Sequence, residues 1–261
     1  MLVMAAAWLF AAVPALAGEA PAYTWQDTLD KDKVNHLLAD YLKVAQQDPQ
    51  DYEVRLRADQ LCYYAWRLEA ESNKRRIEIG KLSLRLAKEA IALKPEAPGG
   101  YLWAGASIAL IGLPRGILNS LQLVPDGKAY FEKSIAIDPG YLKGVGYSLM
   151  GHAYAVVPGF PLSVGDKKKA LEYLAKARKL DPDSTLTLLF VADLFWSLDQ
   201  MKEATEVLEE IPRHKPATEL EYFLDETNKR KAREMLEAIK AGKSRDPLHD
   251  VVSDIKPGLV N

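Results

Sequence analysis

Leu174-Ala175-Lys176-Ala177-Arg178-Lys179-Leu180-Asp181-Pro182 decides the fold, because the same ending occurs three more times. The other copies are Tyr41-Leu42-Lys43-Val44-Ala45-Gln46-Gln47-Asp48-Pro49, Ala87-Lys88-Glu89-Ala90-Ile91-Ala92-Leu93-Lys94-Pro95 and Phe131-Glu132-Lys133-Ser134-Ile135-Ala136-Ile137-Asp138-Pro139. In each, an apolar or small residue stands eight and five positions before a proline. On a helix that step puts both residues on one face, and the proline then forbids continuation. These are helix ends at matching places in a repeat.

Working outward, a new helix is expected after each proline. Tyr101, Ala104, Gly105 and Ile108 follow Pro95; Tyr147, Met150, Gly151 and Tyr154 follow Pro139; Leu188, Val191, Ala192 and Phe195 follow Pro182. A small residue flanked by large ones three or four positions away lets two helix backbones approach closely. The pattern resembles tetratricopeptide repeats, best through Ala170, Leu174, Ala177 and Pro182, then Ser83, Ala87, Ala90 and Pro95, and more loosely Gly127, Phe131, Ser134 and Pro139. The fold class expected is all-α, a tetratricopeptide-like solenoid of helical hairpins.

The prolines at 49, 95, 139 and 182 recur 43 to 46 residues apart, longer than the standard repeat of about 34 residues. The roughly ten extra residues fall between the helices of a pair. Gly112 to Gly127 and Val157 to Gly165 read as loops, and Trp66 to Lys81 as helix extension. Asp166 is a candidate N-cap. Leu186 to Leu198 and Met201 to Ile211 form a final hairpin, and an amphipathic helix from about Glu219 to Ala241 would cap the stack.

The expected organisation is residues 1–17 a signal peptide, 18–33 an N-terminal extension, 34–241 the helical domain and 242–261 a flexible tail. Leu2 to Leu16 is apolar, and Ala15-Leu16-Ala17 puts small residues at the −3 and −1 positions before Gly18. No Lys or Arg precedes the run, and the rival reading is an N-terminal membrane anchor. Export, with the periplasm as the expected destination, follows from the first reading and an anchored protein from the second.

Composition narrows function. The 261 residues are 48% hydrophobic and 27% charged, with 34 Lys and Arg against 36 Asp and Glu for a net charge of −2. No basic surplus exists to drive binding to a phosphate backbone, so no nucleic acid is expected. Cys62 is the single cysteine, in an apolar helical stretch, so no internal disulfide forms and the thiol is expected to be buried. His36, His152, His214 and His249 are scattered, with no pair at zinc-binding spacing. Gly144, Gly146 and Gly151 do not match a dinucleotide loop, and Lys167-Lys168-Lys169 and Lys74-Arg75-Arg76 read as solvated faces. No catalytic residues, metal or cofactor are expected.

The lengthened repeats, with the stretches Tyr130 to Pro139 and Val157 to Ala170, also resemble the T-component family associated with tripartite ATP-independent periplasmic (TRAP) transporters, and the regulator of microtubule dynamics type. The resemblance covers roughly Val34 to Ile211. The first family implies an exported, non-enzymatic adaptor that forms homo-oligomers and works with a periplasmic solute-binding protein. The rival expectation is a general envelope scaffold acting through protein contacts alone.

The tetratricopeptide resemblance implies a concave groove lined by the first helix of each pair. Its positions fall on Leu56, Gln60, Tyr63 and Tyr64; Leu102, Ala106, Ala109 and Leu110; Ser148, His152, Ala155 and Val156; and Leu189, Asp193, Trp196 and Ser197. The wall is mostly apolar, with Gln60, His152 and Asp193 as orienting polar groups, and lacks the basic residues of a carboxylate clamp. Two readings stand: a cleft for an apolar small molecule or partner helix, or a concavity filled as core. Leu113, Ile117, Leu118, Leu121, Phe160 and Leu162 on the inserts would form a lid or a subunit contact.

Overall fold

The computed structural model describes residues 20–69, 72–216 and 219–245, and among these every regular element is a helix. The helices are α1 (Lys31–Gln47), α2 (Tyr52–Leu68), α3 (Asn73–Leu93), α4 (Pro98–Gly112), α5 (Val124–Ile137), α6 (Val145–Val156), α7 (Lys167–Leu180), α8 (Thr185–Trp196), α9 (Met201–Glu210) and α10 (Glu219–Lys240). The expected signal at 1–17 and the last part of the expected tail, 246–261, lie outside the described residues.

The prolines act as the sequence predicts. Asp48, Lys94, Asp138 and Asp181 close α1, α3, α5 and α7, and all have left the helical region, with φ of −116°, −137°, −146° and −140°. The ring of the following proline clashes with a helical residue before it and drives that residue to extended backbone. Each next helix is then restarted locally. Asp51 and Ser184 accept amide hydrogen bonds at the starts of α2 and α8, Pro98 occupies the first turn of α4, and Asp166 accepts from the Lys168 and Lys169 amides at the start of α7.

Consecutive helices pack as antiparallel hairpins, α2 with α3, α4 with α5, α6 with α7 and α8 with α9. Small residues set their approach. A Cβ on Gly105 of α4 would lie 2.7 Å from the Phe131 ring of α5, and one on Gly151 of α6 would lie 2.6 Å from Leu174 Cγ of α7. Equivalent glycines thus receive equivalent large side chains one repeat apart, which confirms the register. The insert from Trp66 to Lys81 differs from a simple extension: α2 ends at Leu68 and α3 begins afresh at Asn73, capped by Ser72.

The last helix does more than cap the stack. α10 packs on α8 and α9, and it also reaches the turn Trp25–Leu29 near the other end. Tyr222 stacks on Trp25 at 4.9 Å between ring centroids, and Phe223 lies 4.6 Å from Tyr64 of α2. Farther along, Asn228 Nδ2 donates to Thr185 Oγ1 at 3.1 Å, and Ala232 and Met235 join the core beside Leu208. α10 therefore bridges the first and last hairpins across the inner side of the superhelix. This explains why α8 is apolar all round, since a helix covered on both sides has no wet face.

The stretch 18–33 is packed where it is described: Ala20 and Tyr23 are buried, and Tyr41 Oη donates to the Pro21 carbonyl at 3.3 Å. At the other end, Gly242 with φ of 69° terminates α10, its amide and that of Lys243 donating to Ile239 and Ala238 carbonyls. A left-handed residue after a helix suits glycine, which has no Cβ to clash. Arg245 then turns back onto α8, where it pairs with Asp193.

An apolar cavity under the insert loops

Among the cavities of the described residues, one of about 200 Å³ is bordered by α4, α5, α6 and both insert loops, with α2 and α8 behind, and is partly open to solvent. It is larger than the roughly 150 Å³ apolar cavity that stays dry and binds benzene. Ala106, Ala109 and Leu110 of α4, Phe131 of α5 and Ala153 and Val156 of α6 form its walls, and Leu113, Ile117, Leu123 and Val164 come from the inserts. Ser120 fastens the first insert by donating to the Gly112 carbonyl at 2.7 Å.

Arg67, His152 and Lys128 reach this cavity beside the hydroxyl-bearing side chains of Tyr63, Ser120 and Tyr154. Arg67 is buried, its guanidinium 5.8 Å from the Tyr63 ring centroid. His152 is stacked flat on Phe190, 4.0 Å between centroids at 12°. Lys128 is ion-paired to Glu132 at 2.7 Å, and that hydrogen bond holds its ammonium above the ordinary lysine range. Burial pushes the Tyr63 phenol up, so this group stays protonated. The arrangement favours an apolar body with a polar end, as small-molecule sites do when a few polar groups orient a ligand in an apolar wall.

The second cavity, about 320 Å³, lies under the start of α10. Glu53, Arg57, Gln60, Lys143 and Asp181 make it polar, and Leu220 and Leu224 of α10 close one side. Lys143 sits 3.8 Å from the Asp181 carboxylate.

The single groove implied by the resemblance is therefore divided. Tyr63, Ala106, Leu110, His152 and Val156 line the apolar cavity, and Gln60 and Tyr64 line the polar one. Leu102, Asp193 and Trp196 line neither. Leu102 and Trp196 are buried in the core with Leu188 and Leu208, and Asp193 is held by Arg245 through two 2.7 Å bonds. For Asp193 and Trp196 the physical reason is α10 and the residues after it, which pack on α8; Leu102 instead packs toward α6, 3.7 Å from where a Cβ on Gly146 would stand. On the inserts, Leu113 and Ile117 face the cavity, while Leu118, Phe160 and Leu162 point to solvent.

Sequence reasoning missed Arg67, whose only signal is a charge inside the apolar run Tyr63 to Leu68, and missed the α5 wall altogether. Cys62 is fully buried, and burial pushes its thiol well above the ordinary range, which leaves it inert. Among the described residues, no group of three or more His, Cys, Asp or Glu is placed to hold a metal ion, and no helix is long and apolar enough to cross a membrane.

A tetratricopeptide-repeat family model matches residues 162–224, from the second insert through α7, α8 and α9 into α10. The chain is similar in structure to a thermophilic tetratricopeptide-repeat protein of Thermus thermophilus, with a TM-score of 0.59 at 14% identity, covering 84% of this chain and 100% of that one. No curated protein matches the chain. The helical hairpins, their proline-terminated ends and these two likenesses give the chain a tetratricopeptide-repeat fold, with the repeat family's own sequence pattern carried by residues 162–224.

Proposed function

We propose that the chain is an exported, non-enzymatic adaptor that holds an apolar small molecule in the cavity between α4, α5 and α6 and presents it to a partner protein. One observation carries this reading: a cavity of about 200 Å³ with an almost wholly apolar wall and Arg67 and His152 at its back. Burying a ligand there gains about 25 cal/mol per Å² of apolar surface. The resemblance to the TRAP-associated T-component family points to a periplasmic solute-binding protein as the partner and to assembly as a homo-oligomer. Export rests on Leu2 to Leu16 and the small residues before Gly18; N-terminal sequencing of the mature protein should begin at Gly18, and a retained Met1 in a cytosolic fraction would remove this part of the reading.

A general envelope scaffold without a ligand is the second reading. It is favoured by α10, which already covers the inner face where tetratricopeptide hairpins are otherwise open. Native mass spectrometry of protein purified from its own envelope separates the two. A retained apolar molecule supports the adaptor, and a co-purifying protein with no small molecule supports the scaffold.

A further inference from the structure

The two inserts that border the apolar cavity also carry the most exposed large apolar side chains of the described residues. Phe160 is 94% exposed, Leu162 68% and Leu118 57%. Val164 both lines the cavity and is 37% exposed, so the cavity wall reaches the surface at this loop. Isolated surface leucines need no explanation, but exposed apolar tips on both loops that border one apolar cavity do.

The loop that carries Phe160 is built to project. Gly165 N donates to the Pro158 carbonyl at 2.9 Å, Leu162 N donates to Gly159 at 3.1 Å, and Asp166 N ties the loop's end to Tyr154 at 3.0 Å. The tip is therefore held out of the fold without burying its own apolar residues. A flat partner would be met by a flat, partly buried patch; a side chain that this protein leaves almost untouched is shaped to enter a soft layer.

Charge selects the layer. Lys168 and Lys169 begin α7 directly after the loop and are exposed, and Lys169 Nζ stands 5.6 Å over the ring of Tyr154, a cavity residue. Arg115 sits on the other insert. Asp166 is engaged by the α7 amides, and Glu172, one turn further along α7, offsets part of the positive charge. Leu171, 37% exposed, follows Lys168 on the same helix face. Apolar tips beside lysines are the pattern of a surface that lies on an anionic membrane interface.

We propose that the two insert loops dock the protein on an anionic lipid surface, with Phe160, Leu162 and Leu118 entering the acyl layer and Lys168 and Lys169 meeting headgroups. Docking in this pose turns the cavity mouth toward the bilayer. It rests on the cavity reading for its purpose, which is exchange of an acyl-bearing amphiphile between membrane and cavity, and the docking itself stands on the loops.

The test places an environment-sensitive nitrobenzoxadiazole label on Ser163→Cys in the full chain, since Cys62 is buried and does not compete for the reagent. The apolar stretch Leu2 to Leu16 is common to every variant, so differences between variants report the loops. Emission should brighten and shift to the blue with phosphatidylglycerol vesicles, less with phosphatidylcholine, and the response should weaken with salt. Adding Phe160→Asp with Leu162→Asp should weaken partitioning at least tenfold, and Lys168→Glu with Lys169→Glu by about 25-fold or more, because one basic residue near an anionic surface is worth roughly fivefold and two are removed. No response to either vesicle overturns the proposal, as does a response that survives Phe160→Asp with Leu162→Asp. Brightening without vesicles that grows with protein concentration also overturns it, in favour of a second copy covering the loops. Uptake of a soluble apolar dye, measured without vesicles, reports the cavity separately and should not change in Phe160→Asp with Leu162→Asp, whose side chains do not line it.

Discussion

Arg245 grips Asp193 through two parallel hydrogen bonds, Nε to Oδ1 and an Nη to Oδ2, each 2.7 Å, with both side chains almost wholly buried. The pair lies 52 residues apart in sequence and fastens the segment after α10 onto α8. Lys167 crosses nearby to Ser197, and burial, then Arg245, lowers its ammonium below the ordinary range. Arg245→Ala should destabilise the protein by about 3–5 kcal/mol, since it strands a buried carboxylate. Urea unfolding measures this. Arg245→Met combined with Asp193→Leu should recover most of the loss; a loss as large as the single variant's would show that the pair does not act through its charges.

A second buried carboxyl is pushed above its ordinary range. Asp59 of α2 is fully buried and hydrogen-bonded to Ser83 of α3, which meets Ser107 of α4 at 2.6 Å, and Ser107 Oγ donates to the Trp103 carbonyl at 2.7 Å. Ser83 Oγ donates to Asp59 Oδ1, and burial pushes the Asp59 carboxyl well above the ordinary range against the lowering effect of that hydrogen bond. A folded state that holds a proton the unfolded state releases loses stability as pH rises above the unfolded value of about 3.9. Asp59→Asn should remove that slope, so the difference in stability between wild type and variant should shift in the variant's favour from pH 4 to pH 7. A difference that does not change with pH would mean that Asp59 is ionised. Ser83→Ala should cost about 1–3 kcal/mol at either pH.

The pairing of α6 with α7 depends on Gly151. Gly151→Ala places a methyl 2.6 Å from Leu174 Cγ, in a core where Leu174 is 1% exposed. The expected loss is about 1–3 kcal/mol by thermal or urea unfolding, the range for overpacking. Leu174→Ala in the same chain should make the two losses less than additive, because the clash is gone. Full additivity would contradict the packing described.

Much of this fold was legible because it is written in local chemistry. Pro49, Pro95, Pro139 and Pro182 act on the residue directly before them, and Asp166 caps the helix that follows it, so neighbours in sequence suffice to read them. The path of α10 was not legible. Its amphipathic pattern shows that one face is buried, not that Phe223 meets Tyr64 far back in the chain. The same gap governs the site. Tyr63, Ala106, Leu110, His152 and Val156 fall on the cavity because repeat register places them there, whereas Asp193 and Trp196 face space that α10 and Arg245 occupy and Leu102 is core between α4 and α6. Leu110 carries a double role that register does not reveal: its carbonyl accepts from Trp66 Nε1 at 2.9 Å, and it belongs to the core as well as to the cavity wall.

The central claim is that the cavity between α4, α5 and α6 takes an apolar molecule, and equilibrium binding of a fluorescent apolar dye to wild type, Val156→Asp and Ala109→Trp tests it most directly. Both residues line the cavity and neither is buried in the core, so melting should stay within a few degrees of wild type in each variant. Val156→Asp puts a charge on the wall, and Ala109→Trp fills the space without one. The account predicts saturable dye binding by wild type and at least a tenfold loss in both variants. Binding that is absent in wild type, or unchanged in both variants with melting intact, would contradict it.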